Sequence, residues 1–301
     1  MNVVQSASSD YSVHIDVPLV RRLVADQFPD WADLPIRPVK VGGHDNRTFH
    51  LGDEMSIRLP SAQRYAAHLK TEQAWLPKLA QLLPLPIPMP LAMGEPAHGY
   101  RWNWSINTWL AGESAATERI GDLGQFAKDL ANFLNALQRI DTKGAPLPGL
   151  DNFFRGGELS VYDAETRDCI RELRDVVDTK AATAIWQSAL RASWLGLPVW
   201  THGDVASGNL LVERGRLCAV IDFGQLATGD PACDVAIAWT LLTEPSRRIF
   251  RAELSVDEAT WMRGRGWALW KALLELRTRR QSDPVDAARA QRVISDILSG
   301  D

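Results

Sequence analysis

The chain has 301 residues, of which 46% are hydrophobic, and its formal net charge at pH 7 is -4. This composition is typical of a chain that buries a large core, and the length predicts one large domain or two lobes. A slightly negative charge gives no general attraction to nucleic acid or to anionic membranes, so we expect neither as a partner.

The sequence also indicates a cytoplasmic location. Residues 1–16 are polar and lack the apolar stretch of a signal peptide, and no apolar run approaches membrane-spanning length. The three cysteines, Cys169, Cys218 and Cys233, are odd in number and lack C-x-x-C spacing. They predict neither a disulfide framework nor a zinc site.

The first third of the chain predicts a small sheet followed by a helix. A segment with two glycines, 42–46, joins the first two predicted strands, and helical periodicity covers residues 65–82. Glu72 is the single acidic residue of that helical segment. The three predicted strands are 36–41, 47–51 and 55–59.

The chain between residues 84 and 110 predicts a connector and two more strands. Prolines alternate with apolar residues from position 84 to position 90, which predicts an extended segment. Strand-like runs follow at 91–94 and 104–110, the second running into Trp109-Leu110-Ala111-Gly112. The remaining chain is predicted to be rich in helices, at 121–140, 161–177, 181–192, 231–242, 257–278 and 284–298.

The residues with the clearest catalytic chemistry lie between positions 200 and 224. Thr-His-Gly-Asp204 is followed five residues later by Asn209, and then by Ile-Asp222-Phe-Gly. Phosphoryl transfer needs an acidic side chain that orients and deprotonates the attacking hydroxyl, together with Mg²⁺, which prefers carboxylate and amide oxygens. Asp204 fits the first role, and Asn209 and Asp222 fit the second. Apolar runs at 210–212 and 217–221 around a polar turn predict the hairpin that carries both metal ligands to one end.

This segment resembles the aminoglycoside phosphotransferase family, relatives of the protein kinases with the same Asp-to-Asn spacing. A further signature of the family, Asp-Pro-x-x-Asp, is matched from Asp230 to Asp234. The resemblance implies an α+β, protein-kinase-like fold of two lobes. Residues 1–110 would form a nucleotide-binding lobe with a small antiparallel sheet and one main helix, and residues 111–301 a larger, mostly α-helical lobe for catalysis and acceptor binding. The implied activity moves the γ-phosphate of ATP or GTP to a hydroxyl of a small molecule, with Mg²⁺.

The same resemblance implies roles for residues of the nucleotide-binding lobe. Arg58 takes the position of the kinase lysine that holds the α- and β-phosphates, and Glu72 is its expected partner. The glycine-containing segment is expected to contact phosphates through Gly43 and Asn46, with a plain hairpin turn as the alternative. Backbone groups of three hinge residues are expected to meet the purine edge: Trp109, Leu110 and Ala111.

Three residues near the catalytic segment are predicted to be structural. Asp234 would brace the catalytic loop, and Asp230, which precedes a proline, would cap the helix that follows. His202 would pack within the loop, because Asp204 already supplies the base. Further along, spacings of three, four and seven predict a buried helical face that contains Trp261, Trp267 and Trp270, with the wall of an acceptor pocket as the alternative.

The acceptor is less determined than the reaction. A polycationic aminoglycoside calls for acidic residues in the C-terminal lobe, but from Glu244 onward 11 basic residues outnumber nine acidic ones. Glu244, Asp257 and Glu258 are the best acidic candidates, with ordinary surface charge as the alternative. A macrolide, sugar or other metabolite kinase therefore stays open, as does a nucleotide-binding pseudokinase regulator. Antibiotic resistance is one biological role that the resemblance allows.

Overall fold

The computed structural model of the protein describes residues 14–39 and 45–300. The chain divides into two compact units. The first unit comprises Met1–Gly112 and Ala219–Gly224, and the second comprises Glu113–Cys218 and Gln225–Asp301. An antiparallel sheet and many helices make up these units, which confirms the predicted α+β class.

A five-stranded antiparallel sheet forms the body of the first unit, with the spatial order β1-β2-β3-β5-β4. Its strands are β1 (Ile36–Pro38), β2 (Asn46–Leu51), β3 (Met55–Pro60), β4 (Pro90–Gly94) and β5 (Trp104–Thr108). The described residues of this unit form three helices, α1 (Val17–Gln27), α2 (Gln63–Ala66) and α3 (His68–Leu79). All predicted strands of this region are present, although positions 40 and 41 lie outside the described residues.

Helix α1 shows how sequence sets the core of the first unit. Asp16 caps it by accepting the Leu19 N–H at 2.9 Å, and the apolar side of the helix buries Leu23 and Val24 completely. This side joins a core cluster with sheet residues such as Ile57. The connector after α3 reaches the sheet at its edge strand β4, where a proline costs no ladder hydrogen bond. The predicted helix 65–82 is shorter than expected and is divided between α2 and α3.

The second unit is mainly helical. Its helices are α4 (Leu123–Gln138), α5 (Asp163–Glu172), α6 (Thr179–Arg191), α7 (Ala232–Val235), α8 (Ile237–Thr240), α9 (Glu244–Glu253), α10 (Glu258–Arg279) and α11 (Pro284–Ser299). Five short strands accompany them: β6 (Glu113–Ser114), β7 (Val199–Thr201), β8 (Leu210–Glu213), β9 (Arg216–Val220) and β10 (Ala227–Gly229). Strand β9 runs along the chain into the Ala219–Gly224 segment of the first unit.

Helix α10 is the central helix of the second unit. It buries residues on all sides and packs against α5, α6, α7 and α11. The three tryptophans of the predicted buried face, Trp261, Trp267 and Trp270, are at most 5% exposed, which confirms that prediction. A helix buried on every side is expected at the middle of a large α-helical body.

The predicted hairpin at 210–221 is present as β8 and β9. Its two turn residues, Arg214 and Gly215, both have positive φ, at 51° and 78°. Two central residues with positive φ form the tight turn whose twist matches that of the flanking strands. The hairpin therefore follows from local sequence.

Other elements of the second unit differ from the predictions. Helix α9 has a mainly polar sequence and is buried through residues such as Arg247 and Phe250, so apolar periodicity did not indicate it. The predicted helix 231–242 is divided between α7 and α8, and α5 is shorter than the predicted 161–177. No helix of the described residues is both long enough and apolar enough to span a membrane.

Candidate functional site

The loop that carries Asp204 begins directly after strand β7. Gly203 has a φ of 84°, and a Cβ at this position would lie 2.3 Å from the Gln225 carbonyl oxygen. Only glycine combines this left-handed conformation with such a close approach. The His-Gly-Asp sequence is therefore a consequence of a tight turn packed against the backbone of residue 225.

The Asp234 carboxylate fixes this turn through two hydrogen bonds from its backbone. Its Oδ2 accepts the His202 N–H and its Oδ1 accepts the Gly203 N–H, each at 2.8 Å. The Asp234 side chain is almost completely buried. Burial raises its pKa, and His202 and the two backbone N–H groups only partly offset that effect. This is the bracing geometry expected of Asp234.

Asp204 lies between an amide and an ammonium group. Asn209 donates through Nδ2 to the Asp204 carbonyl at 2.9 Å and to Oδ2 at 3.2 Å. Lys271 on α10 donates to Oδ1 at 3.1 Å. Burial works to raise the pKa of Asp204, but Lys271, Arg155 and His202 together lower it below its ordinary value. The carboxylate is thus held ionised.

His202 and Asp230 both have structural contacts. His202 is completely buried, and its Nδ1 accepts the Asp204 N–H at 3.2 Å. Asp230 accepts the Ala232 N–H at 3.1 Å, but the cap position of α7 is Pro231, so the expectation of a simple helix cap is incomplete. Its carboxylate also forms a buried bidentate pair with Arg263, at 2.6 and 3.0 Å.

In the first unit, one guanidinium joins two carboxylates. Arg58 donates through Nη1 to both oxygens of Glu72, at 2.9 and 3.2 Å, and through Nη2 to Asp222 Oδ1 at 2.8 Å. Burial alone would lower the pKa of Arg58, but the two carboxylates raise it well above its ordinary range, so this side chain stays charged. The predicted partnership of Arg58 and Glu72 is present, with Asp222 as an additional partner.

Asp222 itself has an unusual backbone conformation. Its φ is 65°, a left-handed value that residues other than glycine seldom adopt, although aspartate and asparagine adopt it more often than most. Strained backbone of this kind is concentrated at functional sites. Asp222 follows the β8–β9 hairpin, at the position where the sequence predicted a metal ligand.

Asn209 and Asp222 each carry a side-chain oxygen of the kind that magnesium prefers. Because the Asn209 NH₂ group donates to Asp204, its Oδ1 is the atom that can act as a ligand. Asp222 binds Arg58 through Oδ1, which leaves Oδ2 for a cation. The Arg58 guanidinium pairs with two carboxylates, those of Glu72 and Asp222, so the three side chains carry one excess negative charge. This negative charge favours a divalent cation. No cluster of three or more His, Cys, Asp or Glu residues suited to a metal occurs among the described residues.

One backbone group of the predicted purine-binding residues is already hydrogen-bonded within the protein. The Trp109 N–H donates to the Glu54 carbonyl at 2.7 Å and is therefore part of the sheet. A purine could be met by the Trp109 carbonyl but not by that N–H. For Leu110 and Ala111 the nucleotide role stays a prediction, as it does for Asn46, which begins β2. Gly43 lies outside the described residues.

The three acidic acceptor candidates have local partners. Glu244 pairs with Arg248 one helical turn away, at 2.8 Å. Asp257 is the N-cap of α10 and accepts the Thr260 N–H at 2.7 Å, whereas Glu258 pairs with Arg251. These contacts explain all three residues structurally, and their acceptor role stays a prediction.

Sequence reasoning missed two cations close to Asp204, Lys271 and Arg155. Arg155 is buried and donates to Gln225 at 2.8 Å and to the Tyr162 hydroxyl at 3.2 Å. Its guanidinium also lies over the rings of two α10 tryptophans, at 5.0 and 5.2 Å from their centroids. Neither cation belongs to a motif. The one sequence signal for Lys271 was its position beside the tryptophans of α10.

Comparison with known proteins supports the same reaction class. A family model described as the phosphotransferase enzyme family matches residues 36–273. Aminoglycoside 3'-phosphotransferases from Escherichia coli and Salmonella typhimurium are each 30% identical to this chain over 160 residues. That alignment covers 49% of this chain and 57% of each relative, so the chain spans little more than half the length of these relatives.

Solved structures give the fold. A GDP complex of an aminoglycoside 2'-phosphotransferase-IIIa variant has a TM-score of 0.73 at 16% identity, over 94% of this chain and 98% of the other. The macrolide 2'-phosphotransferase MphH from Brachybacterium faecium has a TM-score of 0.58 at 17% identity, over 93% and 97% of the two chains. These likenesses confirm the predicted kinase-like fold. The family model matches most of the length of this chain, including every motif described above. The chain therefore belongs to the phosphotransferase enzyme family.

Proposed function

We propose that this protein is an O-phosphotransferase that moves the γ-phosphate of ATP or GTP to a hydroxyl group of a small molecule. The observation that carries the proposal is the arrangement of the Asp204 loop. A buried carboxylate fixes the turn, an asparagine and a lysine orient the Asp204 side chain, and neighbouring cations keep it ionised. Family membership supports the same reaction class.

In this proposal Asp204 accepts the proton of the acceptor hydroxyl as the phosphoryl group is transferred. Its two oxygens are held by Asn209 and Lys271, so the carboxylate has one orientation and retains lone pairs for the hydroxyl. Fixing the base and the attacking oxygen in a reactive geometry is the main contribution a protein makes to this reaction.

In this proposal Arg58 binds the nucleotide phosphates. Its guanidinium is held by an ion pair with Glu72 and also pairs with Asp222. Asn209 and Asp222 would each supply an oxygen to Mg²⁺, which neutralises charge on the β- and γ-phosphates when bound. The backbone of residues 109–111 is proposed to meet the purine, and Asn46 the phosphates. Glu72 holds the Arg58 guanidinium in place, and a charged guanidinium is suited to binding phosphate.

Aminoglycosides are the first acceptors to test, because the relatives at 30% identity are named for them. A less cationic acceptor such as a macrolide or a sugar is the second candidate. It is favoured by the local partners of Glu244, Asp257 and Glu258, which use these acids within the protein. Carboxylates used in this way attract a polycation less strongly.

The test measures the rate of nucleotide turnover with Mg²⁺ in the presence of each acceptor. Mass spectrometry then determines the mass of the phosphorylated product. The panel contains kanamycin, erythromycin, glucose and myo-inositol, each offered with ATP and with GTP. Asp204→Asn keeps the side-chain volume but removes the base, so we expect turnover to fall by at least about a hundredfold while nucleotide binding persists.

Asp168→Asn is the matched control, because Asp168 is a half-exposed aspartate that pairs only with Arg171 three residues away among the contacts described. We expect the control to turn over like the wild type. Unchanged turnover of Asp204→Asn would remove Asp204 from its role. Nucleotide binding by the wild type without transfer to any acceptor would favour the pseudokinase alternative.

A further inference from the structure

The guanidinium of Arg155 is a buried charge without an acid beside it. The residue is 7% exposed, and it forms no ion pair with any acid of the described residues. Neutral groups accept its hydrogen bonds instead: Nε donates to Gln225 Oε1 at 2.8 Å and Nη1 to the Tyr162 hydroxyl at 3.2 Å. The rings of Trp267 and Trp270 offset part of the cost of burying the charge. Buried cations are normally paired with an anion, so this one needs an explanation.

The loop that carries this arginine has a strained backbone. Phe153 and Phe154, directly before it, have φ values of 53° and 54°, and Gly156, directly after it, has a φ of 75°. Left-handed values are rare for bulky residues and persist where surrounding contacts enforce them, most often at functional sites. One such contact is the hydrogen bond from the Tyr162 hydroxyl to the Phe153 carbonyl. Another is the bond from the Asp230 N–H to the Gly156 carbonyl, at 2.8 Å.

One edge of the guanidinium is open next to Gln225. In arginine, Nε and Nη2 point hydrogens from the same edge of the planar fork, and Nε uses its hydrogen on Gln225. Nη2 donates to no atom in the described part of the chain. The side-chain nitrogens that are buried there without a partner are those of Gln138 and Trp194, so Nη2 faces open space. Because a guanidinium can only donate, the Gln225 amide turns its oxygen towards Arg155, and this contact fixes the guanidinium.

This edge lies beside the loop of the proposed base. The Gln225 carbonyl packs against Gly203, where an added Cβ would lie 2.3 Å from the carbonyl oxygen, and Asp204 is the next residue. Burial works to raise the pKa of Asp204, whereas the charges of Lys271 and Arg155 lower it. Lys271 contacts the Asp204 carboxylate directly, but more than 4.0 Å separates that carboxylate from the Arg155 guanidinium. The guanidinium is therefore near the base without being neutralised by it.

We propose that Arg155 binds the phosphoryl group as it is transferred to the acceptor hydroxyl at Asp204, and that Gln225 orients the guanidinium for this contact. The inference rests on the proposed function and adds a catalytic residue to it. In this step the acceptor oxygen forms a bond to the γ-phosphorus, and the bond from that phosphorus to the β–γ bridging oxygen breaks. The nucleoside diphosphate leaves with the electron pair of the broken bond, and Asp204 takes the hydroxyl proton.

The charge of the transferred group explains why the cation is kept without an acid. The phosphoryl group spreads negative charge over three equatorial oxygens, and the product monoester carries about -1.5 to -2 charges near pH 7. A planar guanidinium can donate to two such oxygens at once, and it is most effective where water is largely excluded. Because this contact is to the phosphoryl group, it serves an aminoglycoside and a sugar acceptor equally.

The most direct test is Gln225→Glu, which gives Arg155 the carboxylate that it lacks. A carboxylate at this position accepts from Nε and Nη2 together, so it occupies the open edge and neutralises the charge. Because a buried cation gains a counterion, we expect the midpoint of urea unfolding to stay unchanged or to rise. In contrast, kcat should fall by at least about a hundredfold, with KM values for acceptor and nucleotide within about threefold of the wild type. The acceptor is the one identified by the panel described above.

Three further variants are compared with Gln225→Glu at pH 8, where Asp204 is ionised and its pKa does not limit turnover. Gln225→Met removes the amide without adding a charge, so kcat should fall by no more than about tenfold. Arg155→Met should lose at least about a hundredfold in kcat and about tenfold in affinity for the phosphorylated product, measured by product inhibition. Its KM for the acceptor should change by less than about threefold. The control Arg247→Met removes a buried arginine of α9, and its kcat per folded enzyme should equal that of the wild type.

A Gln225→Glu variant whose kcat stays within about threefold of the wild type would overturn the inference, even where Arg155→Met does not fold. So would an Arg155→Met variant that loses affinity for the acceptor and for the phosphorylated product equally, because that result describes a structural arginine. A failure of the proposed function looks different: the wild type then phosphorylates no acceptor at all, and the role of Arg155 falls with it.

Discussion

Removal of the Asp234 carboxylate tests how the Asp204 loop is held. In Asp234→Ala, the backbone N–H groups of His202 and Gly203 lose acceptors that now lie at 2.8 Å in a nearly inaccessible position. Leaving one buried donor unpaired costs about 1–3 kcal/mol, so two donors give roughly 2–6 kcal/mol. Burial of the carboxylate, which raises its pKa, offsets part of this sum, and we expect a net loss of about 3 kcal/mol in the free energy of unfolding.

The assay is equilibrium unfolding in urea, followed by circular dichroism, together with nucleotide turnover of the folded variant below its transition. Turnover should fall with stability, because the loop that presents Asp204 has lost its anchor. Asp234→Asn keeps the volume but turns a donor towards one of the N–H groups, so we expect about half the loss in stability.

The matched control is Asp175→Ala. Asp175 also binds a partner with both oxygens, the Arg280 guanidinium, but on an exposed surface where such pairs contribute little. We expect no measurable change for this control. An unfolding free energy of Asp234→Ala within about 0.5 kcal/mol of the wild type would refute the view that Asp234 braces the loop.

Two further substitutions test local geometry by urea unfolding. Gly203→Ala should cost more than about 2 kcal/mol, because its φ of 84° disfavours a side chain and its Cβ would meet the Gln225 carbonyl at 2.3 Å. Gly208→Ala in the same loop meets nothing within 4 Å and should be tolerated; equal losses in both would contradict the argument. Asp257→Ala should cost about 1 kcal/mol at pH 7, the usual size of a helix cap. Hydrogen bonds from Thr260 lower the pKa of Asp257, so its stabilisation is present above the ordinary carboxyl pKa and is lost as pH falls through the lowered value. The loss in the free energy of unfolding caused by Asp257→Ala should become smaller in acid. Asp257→Asn keeps the cap, so its loss at pH 7 should be small.

Much of the fold could be predicted because it depends on local sequence. The β8–β9 hairpin follows from two apolar runs around a turn with Gly215, and α10 from regular spacing of apolar residues. The spacing of Asp204 and Asn209 likewise predicted a short loop whose side chains meet, and they are in contact. Helix α9 escaped prediction because two of its three buried residues, Ser246 and Arg247, are polar, so a search for apolar residues at helical spacing passes over it.

Contacts between distant positions could not be read from the sequence. Asp230 and Arg263 are 33 residues apart, and Asp204 and Lys271 are 67 apart, yet each pair is in direct contact. A motif identifies one member of such a pair, but any of many basic residues could be the other. Only the packing of α10 against neighbouring elements decides which side chain reaches the carboxylate.

This limit also explains why a count of charges is poor evidence about the acceptor. Because of the excess of 11 basic over nine acidic residues from Glu244 onward, the sequence kept a less cationic acceptor open. Most of those bases, however, are paired within the protein, so they say nothing about a ligand. Lys271 is paired as well, with Asp204, so its charge is no better guide to the acceptor than theirs. Bases of this region that pair with acids inside the chain include Arg247, Arg248, Arg251, Arg263, Arg277, Arg280 and Arg289.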